Sequence, residues 1–260
     1  MTAAARMLLR GFSELGATDT MCHLGQWPYR LSAFADAGTL REYGRRHGLH
    51  AIWVSHLAAL FGFDTRTGNE AVLSACAGEP LLRPFAVIDP SETGWREELE
   101  WAADVGAQGV RVAPGMHHYD VALAAEVIDA AARRDLLVQV IVRLDDARVR
   151  HPSSPARDLA VRDLAELVRS RPSSPLHLSG LNLAEATEFS RHLGDDIPPG
   201  VRLDMWHLNG PTGVVSDPGA PLGDRRVFGS GFPVQTPEAT MLQIASAGLP
   251  ADRLRAIVTP

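Results

Sequence analysis

Short apolar runs rich in Val, Ile and Leu recur along the chain, and most close on polar residues. Buried parallel strands read this way, because both of their faces are covered. The runs fall at residues 17–23, 51–56, 82–89, 108–114, 136–144, 175–180, 201–207 and 225–230. Between them the period changes to that of a helix. Residues 97–105 and 121–134 place apolar positions three and four apart, and 158–169 puts Leu159, Leu164, Leu167 and Val168 on one face. Asn182 is placed to cap a helix starting at Leu183, with Glu185 supplying negative charge near that start. Pro237 and Glu238 open the last long helix. The Gly- and Pro-rich stretch 209–224 predicts a loop.

Eight strands alternating with helices predict a (β/α)8 TIM barrel, with one domain over residues 1–260. The competitor, a doubly wound open sheet, usually places a Gly-rich phosphate turn after its first strand. Here that strand runs into Cys22-His23-Leu24-Gly25-Gln26-Trp27, which is no such turn.

Composition narrows the function. The net charge of −6 argues against a general nucleic-acid binder. All 25 basic residues are arginine, so a Schiff-base lysine, a P-loop lysine and a carbamylated lysine are excluded. Two cysteines, Cys22 and Cys76, build no disulfide framework, which suits a reducing cytoplasm. The run Met7-Leu8-Leu9 is too short for a signal peptide core, and no stretch is long enough to span a bilayer. A homo-oligomer is left open.

Two strand ends resemble a known family. Asp19-Thr20-Met21-Cys22-His23-Leu24-Gly25-Gln26-Trp27-Pro28-Tyr29-Arg30 and Val227-Phe228-Gly229-Ser230-Gly231-Phe232-Pro233 are similar to the first and last strand ends of the amidohydrolase-2 branch of the amidohydrolase superfamily. That branch holds lactonases, aryl-acid decarboxylases and C–C hydrolases on a (β/α)8 barrel. The resemblance implies a His-x-His metal pair on strand one, which here reads Met21 and His23. It implies a metal-binding aspartate after strand eight, which here is Gly231. The histidine it implies on strand five is absent from Val140-Ile141-Val142-Arg143, and the strand-six position reads Ser179 or Gly180. A subset of the branch shares the pattern Gly25-x-Trp27-Pro28-x-Arg30 and Arg143 to Arg148. One histidine cannot hold a catalytic zinc, which needs about three protein ligands. The expectation is therefore no metal and no cofactor.

Active sites of this barrel lie at the C-terminal ends of its strands. His23 and His56 end strands one and two and are candidates for proton transfer. Arg111 and Arg143 interrupt apolar strands. Such arginines either pair with Asp89, Asp145 or Asp204 or capture a substrate carboxylate. Arg143 is also a catalytic candidate, stabilising developing negative charge. His117 and His118 follow strand four, Asp204 and Trp206 share one face of strand seven, and Arg30 follows strand one; all five are substrate-binding candidates. Met21 reads as a pocket filler, Cys22 as facing the helices, and His177 as structural.

The first expectation is a metal-independent amidohydrolase-like enzyme that hydrolyses a lactone or amide of a small anionic carbonyl compound. A decarboxylase or other lyase on the same barrel is the alternative, and a non-catalytic ligand-binding barrel is a further one. A relocated metal site drawn from His23, His56, His117, His118 and Asp204 is the remaining possibility.

Overall fold

The computed structural model describes residues 2–32, 34–62, 64–208 and 222–260. Eight strands run in order around one parallel sheet: β1 Thr18–Leu24, β2 Ala51–His56, β3 Leu82–Val87, β4 Gly109–Val112, β5 Leu137–Ile141, β6 Leu176–Ser179, β7 Val201–Asp204 and β8 Arg226–Val227. The helices are α1 Ala3–Ser13, α2 Ala37–His47, α3 Ala58–Phe61, α4 Arg66–Cys76, α5 Trp95–Asp104, α6 Pro114–His117, α7 Ala124–Ala132, α8 Val161–Ser170, α9 Leu183–Leu193, α10 Pro237–Ala245 and α11 Ala251–Val258. The sheet closes on itself between β1 and the segment that follows β8. Thr20 N donates to Phe228 O (3.0 Å), Gly231 N to Met21 O (2.8 Å) and His23 N to Phe232 O (2.8 Å). This is the expected (β/α)8 barrel.

Period-two alternation sorts the strand side chains into two cores. Cys22, Val54, Ala86, Val110, Val138, Val140, Leu178 and Leu203 face outward and pack against the helices in one continuous cluster. The inward faces fill the barrel in layers. At the bottom, Trp53 stacks on Phe85 (4.9 Å between ring centres) and lies 5.1 Å from the His177 ring. Gly109 makes room for Phe85, since a Cβ there would come within 2.3 Å of the ring. Above this floor sit Arg111 and Gln139, and above them the polar residues of the strand ends. The second apolar cluster, including Met21, Trp27, Leu57, Val87, Met116, Ile141, Leu144 and Trp206, gathers at the mouth.

Local signals explain the helix ends. Asn182 and Glu185 form a reciprocal capping box at the start of α9. Asp36 caps α2 through Thr39 N (2.7 Å), and Gly48 ends it at φ 63°. The helix expected over 121–134 is shorter. Asp120 accepts from Ala122 N, so Val121–Leu123 begins as a 3-10 turn before α7. Strand eight is shorter than expected, and the chain beyond it turns through Gly231 at φ 71°. The loop expected at 209–224 lies outside the described residues except for its last three, where Leu222 precedes a 3-10 turn over Gly223–Arg225.

Candidate active site

β1 and β2 align so that His23 stands beside Ser55. His23 is fully buried, its Nδ1 lies 3.0 Å from Ser55 Oγ, and its Nε2 has no hydrogen-bond partner. Burial holds its pKa well below the ordinary histidine value, reinforced by the charges of Arg111 and His56. The imidazole is therefore neutral near pH 7. Met21 precedes it on the same face and is wholly buried in the mouth cluster, as a filler would be.

Asp204 ends β7 on the inward face. Gly229 on the neighbouring chain segment makes this approach possible, because a Cβ there would fall 2.8 Å from Asp204 Cβ and 3.2 Å from Met21 Cβ. Asp204 Oδ1 accepts from Gly180 N (3.2 Å), while Oδ2 is buried and without a partner. Desolvation raises its pKa to about 7, against the opposing pull of Ser179, Gly180 N and Arg111. Trp206 lies beyond it and donates from Nε1 to Ser179 Oγ (3.2 Å). Thus Asp204 and Trp206 share a face, as the alternation predicts, and that face is the inward one.

The two arginines behave otherwise than expected for anion capture. Arg111 is completely buried, and all five of its N–H groups are engaged. Nε donates to Gln139 Oε1 (2.7 Å), Nη1 to Cys22 O and Ser55 Oγ (both 2.7 Å), and Nη2 to Thr20 O (3.2 Å) and Trp53 O (3.0 Å). It ties three strands together from inside and offers no donor to a substrate. Nor does it pair directly with a carboxylate, because backbone carbonyls satisfy it. Arg143 is held by Asp158 (2.9 Å), by both oxygens of Glu185 and by Gly180 O (2.9 Å). Arg150 extends this network to Asp145 and Asp158. The partners of Arg143 are therefore a loop residue and a helix-cap residue rather than Asp89, Asp145 or Asp204. Beside it lies a cavity of about 500 Å3, lined in part by Asp146, Arg148, Asn182 and His207.

The remaining candidates scatter. His56 is half-buried at the mouth, its Nδ1 accepts from Ala58 N (3.0 Å), and desolvation lowers its pKa. His117 gives Nε2 to Ala59 O (3.0 Å) and turns Nδ1 toward Asp89 (3.4 Å), so it braces loops instead of reaching a substrate. His118 is exposed in the left-handed region at the end of α6. Arg30 is exposed and donates to Val234 O. His177 is buried low in the barrel, with its pKa drawn down to about 3 by desolvation and Arg202. Cys22 faces outward, as expected. It joins Asp19, Tyr43 and Ser230 in a buried network: Asp19 accepts from Met21 N (3.1 Å), Ser230 N (2.9 Å), Cys22 Sγ (3.1 Å) and Tyr43 OH (2.6 Å). Ser55 and Gln139 were not singled out in the sequence; only the strand register reveals them.

A catalytic metal does not fit these side chains. Among the described residues only His23 and Asp204 present an unpartnered ligand atom to the upper barrel interior. Among the described residues no group of three His, Cys, Asp or Glu converges on a point. A Cβ at Gly231, where the resemblance implies an aspartate, would fall 2.9 Å from Gln235 Cγ.

No family model matches the chain. No curated protein sequence matches it. Its fold is similar to that of 2,6-dihydroxybenzoate decarboxylase from Rhizobium, at 17% identity and a TM-score of 0.67, covering 94% of this chain and 96% of that one. A dihydroxybenzoic acid decarboxylase from Polaromonas sp. JS666, solved with bound manganese and the inhibitor 2-nitroresorcinol, matches at 15% identity and a TM-score of 0.69, covering 94% of each chain. Dihydroorotase from Campylobacter jejuni matches at 12% identity and a TM-score of 0.56, covering 94% and 80%. These likenesses show the fold: the chain is a (β/α)8 barrel like those of the compared structures.

Proposed function

We propose that the chain is a metal-independent lyase that decarboxylates a small aromatic acid, with Asp204 as the proton donor. The carrying observation is a buried carboxyl group at the inner end of β7, one oxygen unpartnered, with a pKa of about 7. Decarboxylation breaks a C–C bond, leaves the electron pair on carbon and releases neutral CO2. That carbon must take a proton. An acid half-protonated near pH 7 is matched to the task. The surrounding Met21, Trp206, Ile141 and Val87 disfavour a carboxylate ground state relative to CO2.

The neighbours support this reading over hydrolysis of a lactone or amide, which was the first expectation. Two of the three compared structures are decarboxylases of dihydroxybenzoic acids, and one is a dihydroorotase. Hydrolysis also needs an activated water, and Gly231 supplies no carboxylate to activate it. A small anionic aromatic substrate remains part of the proposal, but neither Arg111 nor Arg143 is free to grip it.

The test is CO2 release from a panel of mono- and dihydroxybenzoates in excess chelator. Turnover that survives chelation and drops by about 100-fold or more in Asp204→Asn is the expected result. Turnover abolished by chelator, or none across the panel, would overturn the proposal. The saturation of Arg111 and Arg143 favours a second reading, a non-catalytic barrel. It predicts ligand binding without turnover.

A further inference from the structure

Ser55 Oγ sits between two nitrogens, 2.7 Å from Arg111 Nη1 and 3.0 Å from His23 Nδ1. A guanidinium can only donate, so Ser55 accepts from Arg111. The serine's own hydrogen then needs an acceptor, and Ser55 is fully buried. His23 Nδ1 is an acceptor within reach if its lone pair is free. With hydrogen on Nε2, one polar group of this trio is left unsatisfied, the Nε2–H itself. With hydrogen on Nδ1, two are left: the bare Nε2 and the serine hydroxyl. Buried polar groups without partners are costly, so the first arrangement wins.

We propose that Arg111, acting through Ser55 as positioning residues, locks His23 as the tautomer with hydrogen on Nε2, and that this buried N–H receives an oxygen acceptor of the ligand. Nε2 then has no lone pair for a metal, and the fixed guanidinium repels a second cation. The receptor half rests on the barrel interior being the ligand site of the proposed lyase; the tautomer half stands without it.

The experiment is long-range 1H–15N correlation on the full chain with 15N-labelled histidine, with His23 assigned through its own Cβ and backbone, so no variant is required. A pyrrole-type Nε2 with a pyridine-type Nδ1 between pH 6 and 8 is expected. Ser55→Ala should average the two nitrogens, and Ser55→Thr should restore the wild-type pattern, which a merely structural serine would not do. A pyrrole-type Nδ1, an imidazolium, or a Nε2 signal moved by one equivalent of Zn2+ would overturn the assignment. Acetate, benzoate and phenol at millimolar concentration are the probes for the receptor. At least one should move the Nε2 signal saturably, and toluene should not; no movement with any of the three overturns the receptor half. Absence of CO2 release with the Nε2–H tautomer in place would overturn the lyase reading and leave the tautomer standing.

Discussion

Asp204→Asn separates ionisation from packing at the centre of the barrel. The amide keeps an oxygen for Gly180 N and has the shape of the protonated acid, so it mimics Asp204 as the fold prefers it. In the folded chain the carboxyl titrates at about 7, against an ordinary value of 3.8. The folded state thus binds a proton that the unfolded chain has released. Stability from this group is complete below the unfolded pKa and is lost as pH rises through the folded one. A gap of about 3 pH units at about 1.4 kcal/mol each amounts to about 4 kcal/mol, most of it lost between about pH 4 and pH 7. The variant has no such group. Urea unfolding of both proteins from pH 5 to pH 8 should show the variant gaining about 3 kcal/mol on the wild type, because the unaltered groups cancel in the difference. The same variant should be catalytically impaired, so stability and turnover move in opposite directions. A difference that stays flat across that range would mean that Asp204 ionises as an ordinary carboxyl. It would then be an anion near pH 7 and no proton donor.

Other outcomes follow from the same structure. Arg143→Ala strands Glu185 and Asp158; because both carboxylates keep some contact with water, the cost should be about 2–3 kcal/mol rather than the full penalty of a buried pair, read as a lowered urea midpoint with β5, β6 and α9 losing amide protection first. His177 has its pKa drawn down to about 3, so its contribution is complete above the unfolded value of 6.5 and is lost as pH falls; His177→Gln should remove about 1.4 kcal/mol of acid sensitivity per pH unit between about pH 6 and pH 4, measured by the same unfolding series. Gly48→Ala forces a side chain into the left-handed region and sets its Cβ 1.9 Å from Ser13 O, so it should lower stability by at least about 2 kcal/mol and loosen α1 from α2 in amide exchange.

All eight strands were legible because the signal is local: a run of β-branched and aliphatic residues, then a polar or glycine stop. The capping box at Asn182 and Glu185 was legible for the same reason. Period-two alternation put Met21 with His23, and Asp204 with Trp206, on shared faces, and the structure turns both pairs inward. The arginines were not legible. Arg111 reads as a cation at a strand end, but its partners come from β1, β2 and β5, and only the register of the closed barrel sets Ser55 and Gln139 against it. Arg143 finds Asp158 and Glu185 because a loop and a helix cap fold over it, contacts that no strand pattern encodes. His118 read as a mouth residue, yet its left-handed backbone serves to end a helix.

The arrangement inside the barrel has an electrostatic logic of its own. Arg111 supplies one permanent positive charge at the core, paired with dipoles rather than with a carboxylate. That charge acts on both groups above it. It pushes the pKa of His23 down, and it pulls Asp204 back from the still higher value that burial alone would impose. The imidazole is kept neutral as a donor, and the carboxyl is kept near the point where it can both give and regain a proton. A metal ion in the same place would need ligands that Met21 and Gly231 cannot supply, and it would ionise Asp204 outright. Under the proposed reading the fixed guanidinium of Arg111 stands where a metal would supply positive charge, and the proton donor is Asp204 at the end of β7.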